Sequence, residues 1–389
     1  MTGPLTFNTA PQKANPRYRY ILEDTLTRVK LASIPMYGVT MKKYLATWGQ
    51  SNNLGEFTGT FRADTKGFDV QELLDATTPG RTNLWVERDG TLIWGGITTT
   101  RTYQSESFTY QMYANSFDSF MTGQFLTTDQ ASFADDPRNL IINLWNYVQG
   151  LANCNLGLVT PALVTNQAPL LTYSWTGTDN NPISDEIDAA VKAGAEYRID
   201  TAYANGIRTA TLRVGRWDQP VPGFTLGTPQ GALDVAFKYP GPISNYWYSE
   251  SGPQSLTQAL GIGSANGAST PRGNVSNALA LAAGWPNFGI KFNWSNVTDQ
   301  TTLINMLNQA LIQFAPPFVT ATLKLDASIS AFGQFELGDY VRCVIVDPYR
   351  FPKAPLVNDY RVVGWALTPP TDTTAESFNF TVGQPSQNG

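Results

Sequence analysis

The stretch LWVERDGTLIWGG, Leu84 to Gly96, decides how the first third of this chain folds. Asp89-Gly90 is a two-residue hairpin turn in sequence terms: both positions accept positive φ, and both flanks have β character. Counting outward from the turn places Trp85 opposite Trp94 and Val86 opposite Ile93. The strand period of two then sets Leu84, Val86 and Ile93 on one face and Trp85, Glu87, Leu92 and Trp94 on the other. Both faces are largely apolar, whereas a solvated antiparallel hairpin is apolar on one side only. The tryptophan face therefore needs a partner, and Gly95-Gly96 reads as a bulge or bend that turns the strand.

Similar signals continue on both sides. RYRYILEDTLTRVKLASI (17–34), GEFTGTFRAD (55–64) and SESFTYQMYANSF (105–117) alternate or run β-rich between turn residues, which predicts six to eight short strands in a barrel or sandwich. The period then changes. Asp136-Pro137 is a cap followed by proline at the first helical position, and Leu140, Ile141, Leu144, Val148 and Leu151 recur at helical spacing, predicting a helix over 137–150. A second helix is framed by Asn181-Pro182 and Gly194. It leads into a hairpin turning at Asn205-Gly206.

Beyond a proline-rich link, WDQPVPGF (217–224), strands are expected in GALDVAFKY (231–239) and SNYWYSESG (244–252). ALGIGSANGASTPRGN (259–274) reads as a mobile loop. Leu303, Met306, Leu307, Ala310, Leu311 and Phe314 then mark a third helix, ended by Pro316-Pro317. The chain returns to strands in FVTATLKLDAS (318–328), GDYVRCVIVD (338–347) and DYRVVGWALTP (359–369). No tandem repeat of fixed period is visible.

Composition narrows the function. Of 389 residues, 42 % are hydrophobic and only 15 % charged, against about 25 % charged in an average domain. With 33 Gly, 25 Pro and 12 % aromatics, the chain is turn-rich and β-rich. A net charge of -5 and the lack of a Lys/Arg run argue against a protein that grips nucleic acid. Cys154 and Cys343 match no metal-site spacing and read as two buried thiols. No apolar signal region or membrane-length run occurs, so no export signal and no membrane anchor are expected.

Histidine is absent altogether, which excludes Ser-His-Asp and Cys-His nucleophile systems and His-ligated metals. Paired carboxylates remain, Asp135/Asp136 and Asp185/Glu186, and both pairs sit at helix starts where capping is their role. Gly261-Ile-Gly263-Ser-Ala-Asn-Gly267 has its third glycine one residue late for a dinucleotide loop. Cys343 has no base to activate it. Gly338-Asp339 reads as a turn that sets strand register. No catalytic residue, cofactor or metal is expected.

The order of these elements resembles the central hub, or minor tail, protein at the distal tip of long-tailed bacteriophages, similar to that of the T-even phages. The carriers are WVERDGTLIWGGI (85–97), ISDEIDAAVKAGAEYRID (183–200) with IRTATLRV (207–214), TLINMLNQALIQFAPP (302–317), FELGDYVRCVIVDPY (335–349) and DYRVVGWAL (359–367). The fold this implies is α+β and mainly β, with two β-barrel domains flanking a helix-containing α/β domain. Residues 1–127 would form the first barrel, 128–216 the first part of the α/β domain, and 217–238 strands joining the second barrel. Residues 239–317 would complete the α/β domain, with a mobile loop at 258–275, and 318–389 would form the C-terminal barrel.

The resemblance also implies a homotrimer whose six barrels ring a lumen through which DNA passes, adapting sixfold to threefold symmetry. Its partners would be the distal tail protein, the tail tube protein, the tape measure protein and a tail fibre or spike. It would be assembled in a host cytoplasm and sit at the virion's tail tip. Trp85 and Trp94 are the candidate interface residues. Burial under this chain's own helix is the competing reading, since aromatics are core residues first. Alternative functions are a carbohydrate- or receptor-binding tail component and a His-free glycoside hydrolase using Asp and Glu.

Overall fold

A computed structural model of the chain describes residues 16–47, 54–64, 67, 69–166, 170–216, 236–252, 254–264, 269–294, 297–326 and 335–385. The N-terminal part holds β1 (Tyr18–Asp24), β2 (Lys30–Ile34), β3 (Tyr37–Tyr44), β4 (Glu56–Arg62), the short helix α1 (Val70–Ala76), β5 (Thr82–Arg88), β6 (Thr91–Gln104) and β7 (Thr109–Ser116). A middle part follows, with β8 (Gln130–Asp135), α2 (Pro137–Gly150), β9 (Leu171–Trp175), α3 (Ile183–Lys192), β10 (Ala195–Ala204) and β11 (Ile207–Arg216). Then come β12 (Ala236–Tyr239) and β13 (Ile243–Ser251). The remainder is β14 (Gln258–Ile262), β15 (Arg272–Ser276), α4 (Ala278–Ala282), β16 (Gly289–Asn293), α5 (Gln300–Gln313), β17 (Phe318–Leu325), β18 (Tyr340–Ile345), β19 (Leu356–Thr368) and β20 (Ser377–Pro385). The architecture is α+β and mainly β, as the sequence predicts.

One sheet runs through most of the molecule in the order β2-β1-β5-β6-β7-β4-β3-β19-β20-β17-β13, with β18 beside β19 and β12 beside β18. It consists of two groups with the same wiring. In the first, β3 pairs β4, β4 pairs β7, β7 pairs β6 and β6 pairs β5. In the second, β13 pairs β17, β17 pairs β20, β20 pairs β19 and β19 pairs β18. Even an irregularity is shared: the ladder slips between Thr98 and Thr100 in β6·β7 and between Val362 and Gly364 in β19·β20. The groups differ where β1 joins β5 antiparallel but β12 joins β18 parallel.

Two closed barrels were expected, and among the described residues no pairing closes either group. Pro35, between β2 and β3, has no N–H to give a ladder, and Gly38 near the start of β3 takes φ 58°. The chain leaves β2 there, and the end of β3 pairs instead with β19, Tyr44 opposite Gly364 and Met41 opposite Leu367. That junction welds the two groups into one sheet. Ile243–Ser251, expected within the 239–317 α/β segment, lies in this sheet against β17.

The middle part follows its local signals. α2 starts at Pro137 with Asp136 as cap, α3 ends before Gly194 at φ 103°, and β10·β11 turns through Asn205 and Gly206 at φ 51° and 78°. The two ends of the Gly-rich stretch expected to be a mobile loop pair as the antiparallel strands β14·β15. Its glycines let α5 approach: a Cβ on Gly273 would stand 2.7 Å from Leu307 Cδ1, and one on Gly261 2.9 Å from Leu303 Cδ1. Residues 265–268 of that stretch, the link at 217–224 and the beginning of the 231–239 strand lie outside the described residues.

Two apolar cores result. One fills the inside of both strand groups, from Phe57, Leu84 and Trp94 to Phe237, Tyr360 and Phe380. The other joins α2, α3, α5 and β10·β11 to the outer face of the β5·β6 hairpin through Trp85, Leu92 and Phe117.

Candidate functional site

The hairpin turns at Asp89 and Gly90, both at positive φ (50° and 86°), with Arg88 opposite Thr91 and Glu87 opposite Leu92. The register then slips, so that Trp94 lies opposite Val86 and Trp85 opposite Gly95. The expected Trp85–Trp94 and Val86–Ile93 pairs are thus replaced, because Ile93 is one extra residue in its strand. A bulge reverses which face every later residue takes.

The two tryptophans consequently enter different cores. Trp94, 1 % exposed, points into the strand core, its ring 5.6 Å from Phe57 and its Nε1 donating to the Lys42 carbonyl at 2.9 Å. Trp85, 3 % exposed, faces the helical part, 5.1 Å from Phe117. Gly95 and Gly96 lie just past the bulge and serve close approach: Cβ atoms there would stand 2.8 Å from the Trp85 ring and 2.1 Å from the Asn115 carbonyl oxygen.

The hairpin tip, β3, β10·β11 and the second strand group converge on a cleft of about 460 Å³, lined among others by Lys43, Arg88, Asp200, Arg213, Trp365 and Phe378. Asp200 accepts from Arg198 Nε at 2.8 Å, with Arg213 Nε at 3.4 Å and Lys43 Nζ at 3.8 Å. Burial pushes its carboxyl up, but Lys43, Arg198 and Arg213 outweigh that and hold it below the usual carboxylate range. Such a group stays ionised. A glycosidase acid must hold its proton near neutral pH, so Asp200 is unfitted for that role.

Charged and polar pairs fasten the parts of the molecule together. Arg88 of the hairpin makes a bidentate pair with Glu376 before β20, at 2.9 and 3.0 Å, and Tyr18 donates to the same carboxylate. Arg361 of β19 donates to Glu196 of β10 at 3.1 Å and to the Gly338 carbonyl at 3.0 Å. Thr47, just after β3, donates to the same Glu196 oxygen at 2.7 Å. Arg198 reaches the Leu337 carbonyl. Arg208 of β11 holds Glu23 of β1 at 2.7 Å, and Tyr203 donates to Glu87 at 2.5 Å. None of these partners is near in sequence, so no local pattern marks them.

The residues that the sequence singles out are placed apart. Asp136 caps α2 through Arg138 N at 2.9 Å and binds the Arg138 guanidinium at 2.8 and 2.7 Å, while Asp135 accepts from Asn139. Glu186 in α3 is buried and accepts from Asn181 at 3.4 Å. Cys343 is buried in β18, and burial raises its thiol pKa further from the reactive range. Gly338 takes φ 96°, and the Asp339 carboxylate accepts from Glu336 N at 2.7 Å, forming a turn before β18. Among the described residues no three His, Cys, Asp or Glu side chains gather as a metal site, and no helix is long and apolar enough to cross a membrane.

No protein-family model matches this sequence, and neither does any curated protein. Solved structures do match. The 43 kDa tail protein of prophage MuSo2 from Shewanella oneidensis superposes with a TM-score of 0.57 at 8 % identity, over 94 % of this chain and 98 % of that one. The tail protein from Neisseria meningitidis gives 0.54 at 9 % identity, over 94 % and 96 %. This chain has the fold of a phage tail protein. The prophage tail protein gp18 from Listeria monocytogenes shares that tail-protein fold, with a TM-score of 0.53 at 10 % identity over 93 % and 94 % of the two chains. At these identities the match rests on the backbone path, and it runs almost end to end in both chains.

Proposed function

We propose that this protein is a structural component of a phage tail, serving as the hub that closes or adapts the distal end of the tail tube. Three copies, each contributing two strand groups, would surround the lumen through which DNA leaves. The observation that carries the reading is the doubled wiring of the sheet within a fold matched over 94 % of the chain by tail proteins. One chain with two equivalent groups presents a sixfold repeat from three copies, which is what joining a sixfold tube to threefold parts requires.

The chemistry around the cleft suits this mechanical role. Arg88–Glu376 and Arg361–Glu196 are buried and each spans two parts of the molecule, so they fix the relative placement of those parts. The distal tail protein, tail tube protein and tape measure protein would be the neighbours, with a fibre or spike below. The test is electron microscopy of particles labelled with an antibody to this chain. Label at the tail tip is the expected result, and label absent from the tail would refute the proposal.

A further inference from the structure

The doubled wiring assigns each strand of one group a counterpart in the other, and it leaves one contact made once and missing once. The shared slip makes Gly364 of β19 the counterpart of Thr100 of β6. Following the pairings outward, Ala321 of β17, opposite Val382, matches Phe57 of β4, opposite Ala114. Their partners in turn are Tyr248 of β13 and Met41 of β3. So β13 matches β3, and β19 matches β6, residue by residue.

Within the chain, β3 lies on β19. The mirror contact, β13 on β6, is impossible in one molecule, because six strands separate them along the sheet. Yet among the described residues both edges are bare. β13 pairs only β17, and Thr100–Tyr103 pair only β7 among the described residues, on the side opposite β5. Trp247 on β13 is 54 % exposed and Tyr103 on β6 46 %. An uncovered strand edge with apolar side chains is a template for another strand.

We propose that β13 of one copy pairs antiparallel with the far half of β6 in a second copy, repeating between molecules the β3·β19 junction inside each. The internal register, Tyr44 opposite Gly364 through Met41 opposite Leu367, transfers directly. It sets Ser251 opposite Thr100, Glu250 opposite Arg101, Ser249 opposite Thr102 and Tyr248 opposite Tyr103. The side chains agree with this transfer. Glu250 meets Arg101, an opposite-charge pair, and Tyr248 meets Tyr103, an aromatic pair, both stabilising across strands. At the internal junction Gly364 makes room for the Tyr44 ring, a Cβ there standing 2.7 Å from it. At the external one the counterpart of Tyr44 is the small Ser251, so Thr100 needs no such room.

Arg101 is already steadied by donating to the Leu74 carbonyl and the Thr77 hydroxyl, both at 2.6 Å. The exposed Glu250–Arg350 pair is weak enough to give way. The contact is heterologous, a different strand on each side, so it propagates around a ring rather than stopping at a dimer. The proposal rests on the tail-hub reading and names the surface through which its copies meet.

Cysteine pairing of the full-length chain tests it, since directly opposed strand residues lie within disulfide reach. A mixture of Thr102→Cys and Ser249→Cys proteins is expected to form a linked dimer on oxidation that neither variant forms alone. No dimer in the mixture, whether the chain is monomeric or assembled otherwise, overturns the proposal, and so does equal dimer in either variant alone. As a second arm, Arg101→Glu is expected to lower association in sedimentation, and Arg101→Glu with Glu250→Arg to restore it. Loss without restoration counts against the register. Label at the tail tip without the cross-link refutes this surface only. The cross-link in a protein absent from tails refutes the hub reading only.

Discussion

The two strand groups are wired alike, but one has its β3 edge covered by β19 while the other, among the described residues, has its β13 edge bare. The covered edge is built for a permanent neighbour. Gly364 is stripped of a side chain to admit Tyr44, and Arg88 and Arg361 are paired in buried sites with carboxylates of another part of the molecule. The bare edge carries Ser249, Glu250, Ser251 and an exposed Trp247, groups that tolerate water until a partner arrives. The same local fold thus serves as interior joint and as docking edge. What distinguishes them is which side chains can bear solvent.

Breaking the interior side should cost the most. Trp94→Ala removes a fully buried indole and is expected to destabilise by about 3–5 kcal/mol, read from denaturant midpoints at unchanged slope. Glu376→Ala leaves Arg88 buried without its partner and is expected to cost a similar amount, about 3–5 kcal/mol. A loss below about 1 kcal/mol on Glu376→Ala would show that the groups are held together by something other than that pair.

What was legible in the sequence divides along the same line. The Asp89-Gly90 and Asn205-Gly206 turns, the α2 start at Asp136-Pro137 and the α5 stripe were readable because each is fixed by neighbours within a few residues. The Ile93 bulge was not, since nothing in LWVERDGTLIWGG says which strand holds the extra residue. The two tryptophans therefore looked like one face and belong to two. The β3·β19 junction and the Arg88–Glu376 pair were invisible for a related reason: their partners lie hundreds of positions apart. In ALGIGSANGASTPRGN, glycines that suggested looseness are the spaces into which Leu303 and Leu307 pack.

Smaller effects sharpen the comparison. Gly364→Ala drives a methyl into the Tyr44 ring and is expected to cost about 1–3 kcal/mol, whereas Thr100→Ala at the matching place on the bare edge should change monomer stability by less than about 0.5 kcal/mol. Asp200 tests the seam through pH. Its folded pKa is depressed, so the stability it contributes is present above the unfolded value of about 3.9 and is lost as pH falls through the lower folded value. Asp200→Asn should flatten that part of the acid unfolding profile, measured against the parent protein. Smallest of all, Trp247→Ala should leave the isolated chain's stability within about 0.5 kcal/mol of the parent while weakening association.

The most direct test of the account is a cryo-electron microscopy map of the tail tip in particles carrying this chain. The expected result is three copies around the lumen, their two strand groups alternating and joined by β3·β19 within copies and β13·β6 between them. Six copies in the ring, or a tip without this fold, would contradict it.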